Sequence, residues 1–264
     1  MPAPHPDCSL PADELERAYS PSSMVGGSSL PFVTEYGERS RAAADELGPR
    51  LETLSDGSRL ARAGDGAPLF VFVHGGYWQA LSAAESTFLA PAFLLHGWSY
   101  AAVEYTIAPE GTVEQMVVEC RAALVSLIAA AGSPERVVIA GHSAGAHLVA
   151  MSTLVGESPV EVDEVVLVSG VFDLRPVQMM SVNGALGWTP EQADRLSPAL
   201  HPVSAHPGVS VVWGDHDTAA FGRQSRDYAA LLRSQGVVVS EREYVGRHHF
   251  DILDELPALV TQRP

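Results

Sequence analysis

Val137-Val138-Ile139-Ala140-Gly141-His142-Ser143-Ala144-Gly145-Ala146-His147-Leu148 joins an apolar run, a Gly-x-Ser-x-Gly turn and a helix-forming segment without a break. A nucleophile elbow needs that order, because the turn lifts a serine hydroxyl above the end of a strand. The turn is tight enough that the positions two before and two after the serine must be small, and Gly141 and Gly145 present no Cβ. The helix starting at Ala144 points its N-terminus at the site, where its dipole favours developing negative charge. Ser143 is therefore the candidate nucleophile.

Working outward, short apolar runs alternate with helical segments from Leu69 onward, the pattern of βαβ units and a largely parallel sheet. Strands are expected at Leu69–Val73, Tyr100–Glu104, Val137–Ala140, Val165–Ser169, Val209–Trp213 and Val237–Glu241. Between the second and third, Val113, Met116, Val117, Cys120, Leu124, Leu127 and Ile128 recur at spacings of three and four, the mark of an amphipathic helix. Thr112 and Gln115 read as its capping box. The segment around 171–207, rich in proline, is too long for a plain crossover and is expected to form an excursion, or cap, over the carboxyl edge of the sheet. Residues 1–65, with short helices near Asp13–Tyr19 and Thr34–Glu46, read as an N-terminal arm packing on a catalytic domain of residues 66–264, one domain overall. The fold class is α/β, with a mostly parallel central sheet flanked by helices.

Upstream of the serine, Val71-Phe72-Val73-His74-Gly75-Gly76-Tyr77-Trp78 ends a strand in two adjacent glycines. Their backbone N–H groups can approach an oxyanion closely, and the Ala144 amide completes the donor set. His74 is expected to brace this loop by hydrogen bonding. A serine hydroxyl is a weak nucleophile and needs a base and an orienting acid, which follow in the chain order Ser, Asp or Glu, His. Gly214-Asp215-His216-Asp217 follows one strand and Gly246-Arg247-His248-His249-Phe250 follows the last. Asp217 lies further into its loop than Asp215 and is the preferred acid; His248 and His249 both remain candidates for the base.

Composition narrows the chemistry. The chain has 264 residues, 46% of them hydrophobic, enough for one α/β domain with a sizeable core. Thirty-two acidic residues against sixteen basic ones give a formal charge of −16, which repels nucleic acid and anionic membrane alike. Every basic residue is arginine. With no lysine there is no Schiff-base amine, no Walker-type phosphate lysine and no Ser-Lys dyad. Two cysteines, Cys8 and Cys120, make neither a disulfide framework nor a cysteine-rich zinc site. The first residues lack a basic stretch followed by an apolar one, and no apolar run nears the roughly 20 residues of a membrane span. A cytoplasmic protein is expected, with a small-molecule substrate as partner and a homodimer allowed. No metal and no cofactor are expected: a metal site would leave the paired glycines without a chemical reason.

The chain resembles the arylformamidases, also called kynurenine formamidases, a family of the α/β-hydrolase fold. The likeness rests on His74–Trp78, Glu104–Glu110, Gly141–Leu148, Ser169–Pro176, Leu196–Pro198, His216–Thr218 with Phe221 and Arg223–Ser225, and His249-Phe250. Ala219-Ala220 departs from the family pattern, which has a Pro-Glu-like pair there. The resemblance implies Ser143 as nucleophile, Asp217 as acid and His249 as base, with Gly75, Gly76 and Ala144 forming the oxyanion hole. It further implies a serine hydrolase that cleaves an aryl formamide, N-formylkynurenine above all, to kynurenine and formate through a formyl-enzyme. A carboxylesterase acting on small acyl esters with the same triad is the alternative. Tyr77, Trp78, Phe172, Trp188, Phe221 and Phe250 lie near the expected site loops and are candidates for contact with an aryl ring, and Asn183, Arg175 and Ser181 for the amino-acid end of the substrate.

Overall fold

The computed structural model describes residues 5–204 and 208–262. An eight-stranded sheet forms the centre: β1 (Leu51–Thr53), β2 (Arg59–Ala61), β3 (Leu69–Val73), β4 (Ser99–Val103), β5 (Val137–His142), β6 (Glu164–Val168), β7 (Gly208–Gly214) and β8 (Val239–Tyr244). Their spatial order is β1-β2-β4-β3-β5-β6-β7-β8. β1 with β2 and β2 with β4 pair antiparallel, and every later neighbour is parallel. The helices are α1 (Ala12–Ala18), α2 (Leu30–Leu47), α3 (Ala90–Leu95), α4 (Val113–Ala131), α5 (Ala144–Thr153), α6 (Arg175–Gln178), α7 (Asn183–Leu186), α8 (Pro190–Leu196), α9 (Ala219–Ser234) and α10 (Leu256–Thr261).

The apolar runs are unbroken because the central strands are covered on both faces. Every residue of β3, β4, β5 and β6 is buried. Alternate side chains serve opposite layers, as the two-residue period of a strand requires. Val71, Val73, Ile139, Leu167 and Val211 pack with Cys120, Leu124 and Leu127 of α4 and with Tyr228 and Leu232 of α9. Phe70, Phe72, Val138, Ala140, Val166 and Val212 pack with Phe93 of α3, Leu256 and Leu259 of α10, and Tyr36 of α2. Full burial of each such side chain contributes roughly 1.5–3 kcal/mol.

Three details differ from the sequence expectation. β8 begins two residues later than Val237, because the Val237 amide still donates to Leu232 O at 3.1 Å and closes the end of α9. Only half of the Thr112 capping box forms: the Gln115 amide donates to Thr112 Oγ1 at 3.2 Å, but the Gln115 side chain turns to Glu119 at 2.6 Å. The reciprocal box occurs instead at Thr189 and Gln192, at the start of α8. The segment before residue 65 also does more than lie over the domain, since β1 and β2 extend the sheet itself. Three-residue strands are too short to stand out as periodic runs. The excursion around 171–207 carries α6, α7 and α8, and its last residues, 205–207, lie outside the described residues.

Candidate active site

Ser143 stands between β5 and α5 with φ 56° and ψ −120°, a left-handed conformation that an L-residue adopts only under constraint. The constraint is packing. A Cβ at Gly141 would come within 2.2 Å of Gly145 O, and one at Gly145 within 2.1 Å of Val73 O, so the turn closes only with glycine at both. The Ser143 amide donates to Val168 O at 2.8 Å, tying the elbow to the next strand.

The loop after β3 approaches from the other side. A Cβ on Gly75 would lie 2.9 Å from His142 O and 3.0 Å from the Ser143 Cβ, so its bare backbone passes directly beside the serine. The Gly75 and Gly76 amides make no turn or loop hydrogen bond among the described residues. Ala144 opens α5, and a first-turn N–H has no intrahelical acceptor. Free donors therefore border the Ser143 side chain from the loop and from the helix.

Tyr77 and Trp78 continue the loop at φ 51° and 58°, each a strained position costing about 1–3 kcal/mol. Side-chain contacts hold it there. The Tyr77 hydroxyl donates to Tyr19 O. Trp78 Nε1 donates to His147 Nδ1 at 3.2 Å, and His147 Nε2 donates to Leu196 O at 2.7 Å. Burial lowers the His147 pKa to about 4, so the ring is neutral near pH 7, as an Nδ1 acceptor must be. His74 donates from Nδ1 to Gly75 O at 3.0 Å, the bracing role expected of it.

The candidate acid and base come from the ends of β7 and β8. His249 Nδ1 donates to Asp217 Oδ2 at 2.7 Å, and both side chains are almost wholly buried. The other Asp217 oxygen accepts the Thr218 amide at 2.8 Å. With Nδ1–H committed, His249 Nε2 is free to act as a base. Asp215 instead accepts the Gly246 amide at 2.7 Å, and His248 lies 3.3 Å from Asp251. Of the candidates, the pair that hydrogen-bonds is thus Asp217 with His249. Beneath it, His142 Nε2 donates to His249 O at 2.8 Å; burial, then the neighbouring His249, push the His142 pKa well down.

Ser143, His249, Gly76, Tyr77, His142 and Phe250 line one cavity of about 240 Å³. No hydrogen bond joins Ser143 to His249 among the described residues; such contacts commonly tighten only on substrate binding. Of the side chains expected to touch substrate, Tyr77 and Phe250 line this cavity. Phe172 is fully buried and stacks on Tyr228 at 4.2 Å. Trp78 and Trp188 pack edge to face at 5.1 Å beneath the loop. Asn183 spends its amide on Trp188, accepting from its N–H at 2.9 Å and donating to its carbonyl at 3.0 Å. Proximity in sequence to a strand end did not reveal which way these side chains turn. Ala80 and Leu81 of the glycine loop complete the cavity together with Ser20, Pro21, Ser22, Ser29, Val33 and Tyr36 of the N-terminal segment, which motif reading passed over.

Known proteins share this architecture. A family described as having the alpha/beta hydrolase fold matches residues 70–252. Kynurenine formamidase of Danio rerio is 34% identical over 270 residues, covering 94% of this chain and 92% of its own length. Kynurenine formamidase of Drosophila melanogaster is 33% identical over 72% of this chain and 68% of its own. A solved structure of a candidate thioesterase from Silicibacter sp. TM1040 superposes with a TM-score of 0.81 at 28% identity, covering 92% of this chain and 95% of that one.

Proposed function

This chain is a hydrolase of the arylformamidase family within the α/β-hydrolase fold, and from that membership we propose that it cleaves an aryl formamide, N-formylkynurenine foremost, with Ser143, His249 and Asp217 as its catalytic residues. The observation that carries the reading is the 2.7 Å hydrogen bond to Asp217 from His249, which lines one cavity with Ser143, itself held in an elbow at positive φ.

In the proposed reaction His249 Nε2 takes the Ser143 proton as Oγ attacks the formyl carbon. The amides of Gly75, Gly76 and Ala144 receive the oxyanion. Asp217 keeps the imidazole in the Nδ1–H tautomer and stabilises the imidazolium. His249 then protonates the aryl nitrogen as the C–N bond breaks, leaving the formyl group on Ser143. Water enters, gives a proton to His249 and releases formate, and the proton returns to Ser143.

The test is steady-state hydrolysis of N-formylkynurenine beside p-nitrophenyl acetate by the parent protein and by Ser143→Ala. The formamide is expected to have the higher kcat/KM, and the substitution to lower it by a factor on the order of 10⁴ or more. Turnover of the ester alone would leave a carboxylesterase; formamide cleavage that survives Ser143→Ala would overturn the catalytic assignment.

A further inference from the structure

The N-terminal arm bonds to each of the three loops that carry the proposed chemistry. Thr218 Oγ1, next to Asp217, donates to Ala18 O at 2.6 Å. The Tyr77 hydroxyl of the glycine loop donates to Tyr19 O, and the Tyr36 hydroxyl donates at 2.6 Å to the carbonyl of Phe250, beside His249. The start of the arm is locked in place: Asp7, 6% exposed, accepts from the Arg223 guanidinium and from the Tyr19 hydroxyl at 2.8 Å. Buried Gln224 donates to that hydroxyl at 3.0 Å while its carbonyl accepts from the amides of Phe172 and Asp173. A segment fixed at so many points is a wall.

Pro21, Val33 and Tyr36 present this wall to the cavity that Ser143 and His249 line. Its volume of about 240 Å³ falls below the roughly 300–1,000 Å³ of drug-sized sites, which suits a single ring. Val33, Tyr36, Leu81 and Phe250 offer that ring apolar contact. Among the described residues no carboxylate and no guanidinium lines the cavity. A charged substituent drawn inside would lose its water without meeting a carboxylate or guanidinium counter-ion.

We propose that the arm is the substrate-selecting wall of the site, admitting an uncharged aryl ring against Val33 and Tyr36 and leaving charged substituents outside the cavity. The proposal rests on the aryl formamide reading above. Formate release from formanilide, N-formylanthranilate and ethyl formate separates ring, charged ring and no ring. In the parent protein, kcat/KM for formanilide is expected to exceed that for N-formylanthranilate by about 100-fold or more, the penalty of an unpaired buried charge. Val33→Trp, at a half-buried helix position, is expected to lower kcat/KM for formanilide relative to ethyl formate at least about tenfold by filling the cavity. Val33→Arg, which places a cation on the wall, is expected to raise the relative rate on N-formylanthranilate.

An equal loss on formanilide and ethyl formate in Val33→Trp, with Val33→Arg leaving the charge preference unchanged, would reduce the arm to a structural cover. Equal rates on the neutral and anionic rings in the parent would also overturn the proposal. If the parent cleaves ethyl formate but no aryl formamide, the function reading fails by itself. Phenyl acetate against ethyl acetate with the same variants then tests the wall independently.

Discussion

Asp217 and Asp215 are two residues apart, as are the hydrogen-bonding fates of their side chains: one holds His249 Nδ1 at 2.7 Å, the other caps the Gly246 amide. Asp217→Asn is expected to lower kcat by a factor on the order of 10⁴, because an amide does not enforce the Nδ1–H tautomer. Asp215→Asn, which keeps an acceptor for Gly246, is expected to stay within about threefold of the parent, since surface substitutions away from special features change little. Comparable losses in both variants would show that the acid is not assigned by this pair. The sequence made Ser143 legible because the elbow is written in contiguous residues. Asp217 is preferred over Asp215 from its place in the loop, and His249 over His248 only through the family resemblance; neither choice is fixed locally, because both depend on a contact spanning 32 positions. Phe172 and Asn183 show the complementary failure: both lie where site residues belong, yet one side chain turns into the core against Tyr228 and the other bonds to Trp188.

At the level of elements, β5, the elbow and α5 work as one rigid unit pressed against the end of β3. Gly145→Ala would force a methyl group to within 2.1 Å of Val73 O and 2.4 Å of His74 O, both backbone atoms without a rotamer to yield. The expected loss is about 3 kcal/mol or more, read as a lower urea midpoint, together with loss of esterase and formamidase turnover. A midpoint unchanged from the parent would mean that the strand and helix are not pressed together as described. The central strands and α4 were legible because their periodicity runs over many residues. β1 and β2 were not, since each spans only three residues, and β2, to which β1 pairs, is held by antiparallel pairing to the distant β4. α7 and α8 likewise owe their positions to contacts across the fold; Val182 O, for example, accepts from Gln79 Nε2 at 3.2 Å.

For the molecule as a whole, two fully buried neutral imidazoles link stability to pH. His147 has its pKa lowered to about 4 by burial, against 6.5 when exposed, so between those values the unfolded chain takes up a proton that the native state refuses. The stabilisation is complete above about pH 6.5 and is lost as pH falls toward 4, by on the order of 3 kcal/mol. His142 contributes with the same sign. Urea midpoints at pH 7.5, 6 and 5 should fall in that order, and His147→Gln, which can still accept from Trp78 and donate to Leu196, should flatten the slope; an unaltered slope in the variant would remove His147 as the cause. The parallel layered architecture was readable from apolar runs, but the part played by the N-terminal segment was not, because nothing local marks it. Tyr36 meets Phe250 across 214 positions of sequence, and Ala18 meets Thr218 across 200. Those distances also order events in time. A growing chain makes the proposed wall before the elbow and the proposed base, His249, well after it, so the elbow is made before its pocket can close. On the proposed assignment a nascent chain that stops short of His249 is silent, and hydrolytic activity reports that the N-terminal segment and the His249 loop have found each other.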